Sequence, residues 1–446
     1  MVIDDIFKAY DVRGKVGTEL TNDIVEKIAK AVADWLPKEG PVAVGRDMRS
    51  DSDELAKAAI KGLVSQGRDV WDIGMVTSDM IYFAVGKYKL AGGLMITASH
   101  NPGEYNGIKF CREEAKPIGL DTGLSDIREK VKTNKFKNKT NKGRVISRDV
   151  TEDWITHVLS FVDMGDLKPL KIAVDAGNGM VGKIFPELEP YAPFDVIEMY
   201  FELDGGFPNH PANPIESKNL QDLINVVKQQ KCDAGLAFDG DGDRAVLIDE
   251  KGVPISGTVM TSILAEYFLG KAPCSTVLYN AIVGRVAKET IEKHGGKAIR
   301  TKVGHSIIKN EMRLHNALFA GEHSHHYYFR NNFMADSGLI ASMVALALLC
   351  KSGIKLSRLA DKFRKYYSVE ETNFEIDDKD AAMNKIAKSF SDAKIDWLDG
   401  LTLTFNDGWV NVRPSNTEPL LRLNAEADTP TILNNYVKKV TKIINN

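Results

Sequence analysis

A strand–helix–strand pattern that occurs three times limits the possible folds of this chain more than any other feature of its sequence. In the first occurrence, an apolar run at residues 41–44 predicts a strand, and residues 51–66 show the periodicity of an amphipathic helix. Residues 69–73 then predict a second strand. A βαβ unit needs roughly 30 residues, which is the length found here. The pattern therefore predicts an α/β fold.

The same pattern returns twice, and the C-terminal part differs from it. The two later units comprise strands at 171–175 and 194–199 around a glycine-rich loop, then a strand at 275–279, a helix at 283–294 and a strand at 297–301. Towards the C-terminus, the sequence predicts a hairpin over 401–412 with a turn at 406–408, a strand at 420–425 and a helix at 430–444. Polar linkers are expected at 130–144, 249–252 and 368–372. We therefore expect three related mixed-sheet modules followed by an α+β domain, with the boundaries 1–146, 147–251, 252–366 and 367–446.

Composition excludes several classes of protein. A length of 446 residues alone suggests about three domains. The net charge of −3 argues against binding of nucleic acid, which requires a basic surface, and the basic stretch at 130–144 is interpreted as a solvated connector. The most apolar stretch, 338–350, is shorter than the ~20 residues that span a bilayer, and no signal peptide is expected at the N-terminus. The four cysteines are widely scattered, which favours a reducing cytoplasm.

Three carboxylates alternate with glycines in a short loop between two apolar runs. Asp239, Asp241 and Asp243 can converge because the glycines allow a tight backbone, and such a set suits a hard divalent cation such as Mg²⁺. An EF-hand is excluded because Arg244 occupies the position that requires glycine and because the flanking runs predict strands. The remaining alternative is a polar turn between strands.

A serine follows another apolar strand. Ser99 comes soon after the run at 93–96 and is surrounded by small residues, so its hydroxyl would be exposed on a bend where a nucleophile or phosphoryl carrier could lie. Lys109 follows downstream and would bring an ammonium nearby. Neighbouring residues of a strand point to opposite faces, so His100 is not expected to act as the base for Ser99. From these residues alone, a serine that only caps a turn is the simpler interpretation.

Three further segments have two interpretations each. Residues 413–419 combine a guanidinium, hydroxyls and an amide, so they predict either a phosphate cradle or a proline-bounded turn. Residues 321–326 contain three histidines, which invite a zinc interpretation, but their spacing is not helical. The carboxylate and the hydroxyl of the same segment also suit contacts with sugar hydroxyls. Residues 177–182 match a dinucleotide-binding fingerprint, with Glu198 at the expected distance. Pro186 interrupts the helix that should follow, so we interpret the match as a tight turn.

Taken together and in this order, these segments resemble the α-D-phosphohexomutase superfamily, and most closely its bacterial phosphomannomutase/phosphoglucomutase branch. The resemblance covers nearly the whole chain. It is carried by FKAYDVRG at 7–14, TASHNPGEYNGIKF at 97–110, DGDGDR at 239–244, KVGH at 302–305, GEHSHHYYF at 321–329 and RPSNTEPLLR at 413–422. The serine loop, residues 97–102, and the aspartate loop, residues 239–244, are highly specific as a pair.

The resemblance implies four domains around a central cleft and an isomerase of the cytoplasm. Such an enzyme interconverts hexose 1-phosphate and hexose 6-phosphate, of mannose or glucose, through a phosphoserine and a hexose 1,6-bisphosphate that also serves as activator. Ser99 would carry the phosphoryl group and would bind one Mg²⁺ together with Asp239, Asp241 and Asp243. The resemblance further implies catalytic roles for Lys109, His326 and Arg244, and substrate contacts from Tyr10, Arg13, His305, Glu322, Ser324, Arg413, Ser415, Asn416 and Thr417.

One departure from the family pattern bears on specificity. The sugar loop of the family often reads E-x-S-G-H, and here His325 occupies the small position, which puts the sugar preference in question. A phosphoglucosamine mutase is the alternative within the family. A nucleotide-dependent oxidoreductase that uses the loop at 177–182 and a sugar-phosphate binder without catalysis are the alternatives from other classes. The expected partners are small sugar phosphates, with neither nucleic acid nor membrane, and the expected state is a monomer or a weak homodimer.

Overall fold

The computed structural model describes residues 2–137, 139–165, 167–415 and 420–445. The chain divides into two compact units, of which the first comprises Met1–Ile255 and Ser324–Ser357 and the second Ser256–His323 and Arg358–Asn446. None of the helices in these described ranges combines the length and the apolar character needed to cross a bilayer.

The first sheet carries the serine loop. Its elements are α1 (Val2–Ile6), β1 (Asp11–Lys15), α2 (Asn22–Trp35), β2 (Val42–Arg46), α3 (Ser52–Ser65), β3 (Val70–Met75), α4 (Ser78–Lys87), β4 (Gly92–Ile96), β5 (Tyr105–Arg112), β6 (Lys116–Pro117), α5 (Leu124–Thr133) and β7 (Val145–Ser147). The strand order is β1-β5-β4-β2-β3-β7, and β6 pairs with β5. Strands β2, β3, β4 and β7 run parallel, whereas β5 is antiparallel to both β1 and β4. Because the register pairs Lys109 on β5 with Met95 on β4, the ammonium lies close to the end of β4, where the serine loop begins.

The second sheet carries the aspartate loop. Its elements are α6 (Thr151–Leu159), β8 (Leu170–Asp175), α7 (Val181–Leu188), β9 (Phe194–Met199), α8 (Gln221–Gln230), β10 (Ala234–Phe238) and β11 (Ala245–Asp249). The strand order is β11-β10-β8-β9, in which β9, β8 and β10 are parallel and β11 is antiparallel. Strands β10 and β11 are buried along their whole length, so the loop between them is held on a rigid support.

The first unit also contains a later part of the chain. It comprises the antiparallel pair β15 (Tyr327–Phe329) and β16 (Ala335–Asp336), followed by α12 (Gly338–Ser352). Ser337 caps α12 by accepting a hydrogen bond from the Ile340 amide at 3.1 Å. The apolar stretch identified in the sequence is therefore a buried helix of 15 residues, too short to cross a membrane.

The second unit contains one parallel and one antiparallel arrangement. The first consists of α9 (Gly257–Lys271), β12 (Thr276–Asn280), α10 (Arg285–Lys293), β13 (Lys297–Thr301), α11 (His305–Leu314) and β14 (Phe319–Gly321), with β12 between β13 and β14. The second consists of β17 (Tyr367–Ser368), β18 (Thr372–Glu375), α14 (Lys379–Lys388), β19 (Lys394–Asp396), β20 (Leu401–Thr404), β21 (Gly408–Pro414), β22 (Leu420–Ala427) and α15 (Pro430–Ile444). Helix α13 (Leu356–Asp361) lies between them in sequence. The antiparallel strands follow the order β17-β22-β21-β20-β19, and β18 also pairs with β22.

These elements confirm the α/β modules and the antiparallel C-terminal part expected from the sequence. The hairpin turn and the helix at 430–444 are both found. Two details predicted from the sequence are wrong. The stretch at 130–144 is not entirely a connector, because α5 extends to Thr133, and α7 continues two residues beyond Pro186. The four domain boundaries remain a prediction.

Candidate active site

The Ser99 hydroxyl lies in a buried bend three residues after β4. Its backbone is left-handed, with φ of 52°, a conformation that costs a residue other than glycine about 1 kcal/mol or more. The Ser99 amide donates to the Thr97 hydroxyl at 2.9 Å, and Ser99 Oγ donates to Asp239 Oδ2 at 2.8 Å. Ser99 is only 3% exposed. The bend thus directs the hydroxyl at the aspartate loop. The sequence correctly predicted a bend here, but the expectation that the hydroxyl is exposed is wrong, because the loop packs against the aspartate loop.

The left-handed bend also brings Ser99 and His100 together. Ser99 Oγ lies 3.3 Å from His100 Nδ1, so the expectation that the two side chains point to opposite faces is wrong. Arg244 Nη2 lies 2.6 Å from the same Nδ1 and donates to it, which occupies the lone pair that a base would need. Burial, together with the charge of Arg244, lowers the pKa of His100 well below its usual range. His100 is therefore a neutral ring that accepts from Arg244.

The aspartate loop joins the antiparallel strands β10 and β11, which excludes an EF-hand because that motif needs flanking helices. Asp239, Asp241 and Asp243 are buried, and each places a carboxylate oxygen within 4.8 Å of the others. Gly242 has φ of 74° and allows the reversal between the second and third aspartate.

Two cations balance the three carboxylates. Lys109 Nζ lies 2.5 Å from Asp241 Oδ2 and 2.5 Å from Asp243 Oδ2, and Arg244 Nε lies 2.9 Å from Asp239 Oδ2. Burial opposes ionisation of Asp243, but the charge of Lys109 outweighs it and holds the pKa of Asp243 well below its usual range. Burial raises the pKa of Asp239 to about 7 despite the opposing charge of Arg244.

The same loop fits a divalent cation. Asp241 Oδ1 and Asp243 Oδ1 are buried and accept no hydrogen bond within the described part of the chain. Buried carboxylate oxygens without donors are costly unless a cation satisfies them. With the Ser99 hydroxyl, the donors are hard oxygen atoms, which suit Mg²⁺ rather than a soft metal. The residues predicted from the sequence could therefore hold a metal ion.

A buried aspartate that the sequence did not reveal holds His326. His326 Nδ1 lies 2.8 Å from Asp336 Oδ2 and 3.8 Å from Asp243 Oδ1. A carboxylate accepts a proton donor, so a neutral imidazole would carry its hydrogen on Nδ1 and its lone pair on Nε2. Asp336 could not be identified from the sequence, because it lies at the end of a two-residue strand and belongs to no recognisable motif.

Ser78 is a second contact that no motif indicates. Its hydroxyl donates to Asp241 Oδ2, and its amide donates to the Asp241 carbonyl at 2.9 Å. These two bonds attach the first turn of α4 to the aspartate loop. In the sequence, Ser78 belongs only to the first turn of a helix, and that position by itself does not indicate a functional site.

The N-terminal motif lies beside the serine loop, because β1 pairs with β5. Arg13 Nε lies 2.7 Å from Asp11 Oδ2, and Arg13 Nη1 donates to Asn101 Oδ1 at 2.5 Å. Tyr10 directly precedes β1 and is half-buried. The structure thus brings Arg13 to the loop that carries Ser99.

The predicted sugar-binding residues are divided between the two units. In the second unit, the Glu322 carboxylate accepts from Asn280 Nδ2 at 3.0 Å and approaches the amide of Gly304 at 3.5 Å, next to His305 at the start of α11. Ser324 belongs to the first unit and is half-buried. The contact with Gly304 brings the segments of Glu322 and His305 together.

The predicted phosphate cradle is described only in part. Arg413 on β21 is 4% exposed and donates through Nη2 to Glu371 Oε2 at 3.1 Å. Glu371 also accepts from Arg422 at 3.0 Å and Asn424 at 2.9 Å. The Ser415 amide donates to the Leu420 carbonyl at 2.8 Å. Asn416 and Thr417 lie outside the described residues.

Within the described residues, the three neighbouring histidines do not converge as the ligands of one metal ion. The sets whose ligand atoms do converge are the three aspartates and the group of Asp243, His326 and Asp336. His325 has φ of 66°, in the left-handed region that glycine adopts without cost. This explains why a small residue suits the position. Its ring is buried, with Nδ1 3.1 Å from the Tyr327 hydroxyl.

The fingerprint-like loop at 177–182 is a packed turn, in agreement with the sequence interpretation. The amides of Gly177, Asn178, Gly179 and Met180 donate to Asp175 Oδ1, Tyr200 O, Ala176 O and Gly240 O, at 2.8–2.9 Å. A Cβ on Gly179 would lie 2.8 Å from the Gly240 carbonyl, so only glycine permits this approach. These four amides are therefore engaged within the protein, and the amide of Met180 supports the aspartate loop through Gly240.

Comparison with known proteins agrees with this geometry. The chain matches the phosphoglucomutase/phosphomannomutase alpha/beta/alpha domains I, II and III over residues 4–138, 152–252 and 256–366, and the C-terminal domain over residues 371–443. It is 40% identical over 423 residues to phosphohexose mutases of Xanthomonas campestris, covering 94% of each chain. It is 37% identical over 431 residues to a phosphomannomutase of Escherichia coli, again covering 94% of each.

A solved structure extends the agreement to the fold. A phosphoglucomutase/phosphomannomutase family protein of Burkholderia thailandensis superposes with a TM-score of 0.92 at 29% identity, covering 99% of this chain and 97% of the other. The three related modules and the distinct C-terminal part expected from the sequence are those of the matched domains. The chain therefore belongs to the phosphoglucomutase/phosphomannomutase family of hexose-phosphate mutases.

Proposed function

We propose that this chain interconverts the 1-phosphate and 6-phosphate of mannose or glucose, with Ser99 as the phosphoryl carrier. The observation that carries the proposal is the buried Ser99 hydroxyl, which donates to Asp239 Oδ2 at 2.8 Å and lies 3.5 Å from Arg244 Nη2. A hydroxyl directed at a carboxylate loop and a guanidinium is suited to phosphoryl transfer, where positioning and charge stabilisation dominate catalysis. The relatives named phosphomannomutase support the substrate class.

The reaction conserves the number of phosphate esters at each step. The bond between phosphorus and Ser99 Oγ breaks as the free hydroxyl of a hexose 1-phosphate forms a new bond to phosphorus, which yields a hexose 1,6-bisphosphate. The sugar hydroxyl loses its proton, and Ser99 Oγ gains one. In the second half, Ser99 Oγ forms a bond to the other phosphorus as the bond between that phosphorus and the C1 oxygen breaks. Ser99 Oγ loses its proton, the C1 oxygen gains one, and the hexose 6-phosphate leaves.

Lys109 and His326 are the candidates for proton transfer, and their surroundings suit them to different roles. Burial opposes the charged form of Lys109, but the neighbouring charges of Asp241 and Asp243 outweigh it and raise the pKa of Lys109 well above its usual range, so the group stays an ammonium that stabilises negative charge. His326, held through Nδ1 by Asp336, would accept the sugar proton at Nε2. Arg244, which already contacts Asp239, would stabilise the oxygen atoms of the transferring group.

We assign the metal position to Ser99 Oγ and the three aspartates, with Mg²⁺ as the ion. The support is the hard oxygen donor set and the two buried carboxylate oxygens without donors, Asp241 Oδ1 and Asp243 Oδ1. When bound, Mg²⁺ neutralises negative charge on the phosphoryl group. Asp239 has to ionise fully to serve as a ligand, so its raised pKa couples metal affinity to pH in the neutral range.

We assign recognition of the substrate to two further groups of side chains. Arg413, Ser415, Asn416 and Thr417 would hold the phosphate that is not transferred, because a guanidinium can bind phosphate oxygens in bidentate fashion. Glu322 and Ser324 would contact sugar hydroxyls, and Tyr10, Arg13 and His305 the remainder of the substrate. We keep the preference for mannose or glucose over glucosamine as a prediction.

The experiment is a substrate panel with Mg²⁺ and a trace of hexose 1,6-bisphosphate as activator. We expect turnover of the mannose or glucose phosphates and, on intact protein, a mass increase of ~80 Da for one phosphate. Ser99→Ala should abolish both, whereas Ser125→Ala, which loses only a bond to the Leu120 carbonyl, should retain both. Absence of turnover with mannose, glucose and glucosamine phosphates would refute the proposal, and an unchanged phosphorylated fraction in Ser99→Ala would move the carrier elsewhere. Sugar phosphate binding without turnover would instead support a binder without catalysis.

A cytoplasmic location is proposed from the thiols. Cys232 and Cys350 are buried and form no disulfide, which suits a reducing compartment. The state of assembly, monomer or weak homodimer, remains a prediction that light scattering at two concentrations can test.

A further inference from the structure

A buried arginine outside the proposed catalytic set lies beneath the serine loop. Arg49 follows β2 and is 3% exposed. Its Nη1 donates to the carbonyls of Pro102 and Tyr105, both at 2.8 Å. Its Nη2 donates to the carbonyls of Ser99 at 2.9 Å and Asn101 at 2.6 Å. One side chain therefore binds three carbonyl groups of the loop that carries Ser99 and a fourth at the first residue of β5.

These hydrogen bonds matter because the backbone of the loop is strained at Ser99. Ser99 is held in the left-handed region with φ of 52°, and such strain persists only where the surroundings fix it. Buried carbonyl groups also need donors. The guanidinium supplies them in a rigid planar fork, which a lysine ammonium cannot reproduce.

The guanidinium is itself held from both sides. Its Nε lies 3.3 Å from Asp47 Oδ2, and its Cζ lies 5.0 Å from the centre of the Phe207 ring. Gly205 passes so close that a Cβ there would lie 2.5 Å from Arg49 Cα. Burial under this segment strengthens the hydrogen bonds by excluding water.

We infer that Arg49 is a positioning residue for phosphoryl transfer, because its guanidinium fixes the loop backbone that directs the Ser99 hydroxyl. The inference rests on the proposed role of Ser99 as phosphoryl carrier. The hydrogen bonds described for the Arg49 guanidinium all go to backbone carbonyl groups around Ser99, so we infer that it acts through the position of Ser99 rather than on the substrate. A displacement of the hydroxyl by about 1 Å can cost roughly a hundredfold in rate.

The test compares Arg49→Lys with a matched buried arginine. Arg68 is 7% exposed and donates to the carbonyls of Ala33, Leu36 and Lys38 at 2.7–3.1 Å, in the same domain but away from the serine loop. Both lysine variants should unfold at lower temperature than wild type. We expect only Arg49→Lys to lower kcat, by roughly ten- to a hundredfold with KM within about twofold, and to change the hydrolysis rate of phosphorylated Ser99.

The outcomes separate this inference from the proposed function. Wild-type protein without turnover or phosphoserine refutes the proposed function, whereas active wild type with a folded Arg49→Lys variant of unchanged kcat overturns the role of Arg49. Equal losses of kcat in the Arg49 and Arg68 variants would also overturn it, because they would indicate a purely structural effect.

A second pair of variants decides the matter if Arg49→Lys does not fold. Gly205→Ala places a methyl group against Arg49 Cα, whereas the equivalent atom at Gly206 would meet only the Asp204 side chain, at 3.1 Å. We expect Gly205→Ala to lower kcat at least fivefold and Gly206→Ala to leave it unchanged. An unchanged kcat in Gly205→Ala would refute the inference.

Discussion

Replacement of Lys109 by methionine tests the charge balance of the aspartate loop most directly. Lys109 is 6% exposed, and its ammonium lies 2.5 Å from both Asp241 Oδ2 and Asp243 Oδ2. Methionine fills a similar volume but leaves those carboxylates without their cation. Removal of one partner of a buried ion pair typically costs about 3–5 kcal/mol. Without metal, we therefore expect the unfolding equilibrium constant of Lys109→Met to rise between about a hundredfold and a few thousandfold.

The decisive part of the prediction is how Mg²⁺ changes the loss of stability in Lys109→Met. The ammonium competes with any cation for the same carboxylates, so its removal should strengthen Mg²⁺ binding. A tenfold gain in affinity adds about 1.4 kcal/mol to the stabilisation at saturating Mg²⁺. Urea unfolding with EDTA and with excess Mg²⁺ measures both quantities. Lys309→Met, at a buried lysine of the second unit, is the control and should show no change in the Mg²⁺ effect. An Mg²⁺ effect that is equal in Lys109→Met and wild type would refute this account of the loop.

Two further predictions concern individual side chains. Asp336→Asn should lower kcat about tenfold or more with KM nearly unchanged, because the amide no longer selects the His326 tautomer with its lone pair on Nε2. Steady-state kinetics on the folded variant checks this, and a change confined to KM would contradict it. His210→Gln should remove a pH dependence of stability. Burial favours the neutral ring, but the hydrogen bond and charge of Asp175, 2.9 Å away, outweigh it and raise the pKa of His210. The resulting stabilisation is complete below about pH 6.5 and is lost as the pH rises through the raised pKa. Urea titrations at several pH values should show a falling difference between wild type and variant, and a constant difference would be incompatible with this assignment.

Much of the fold and of the site was predictable because the signals are local. Strand–helix–strand periodicity predicts the α/β modules, and the turn at 406–408 predicts the hairpin, because backbone preferences act over a few residues. The aspartate loop was recognisable because three carboxylates within five residues repel one another and together suit a divalent cation. These conclusions depend on near neighbours in the sequence.

The contacts that complete the site were decided only by the tertiary structure. Ser99 and Asp239 are 140 positions apart, and Ser78 reaches Asp241 across 163 positions. Arg49 and Asp336 belong to no chemical motif of the sequence. Only the folded chain places Arg49 beneath the serine loop and Asp336 beside His326. The direction of the Ser99 hydroxyl was also beyond the sequence, because a left-handed backbone at a serine is unfavourable locally and exists only where distant groups stabilise it. The sequence alone therefore determined the chemistry of the loops, whereas long-range packing and hydrogen bonding determined how those loops face one another.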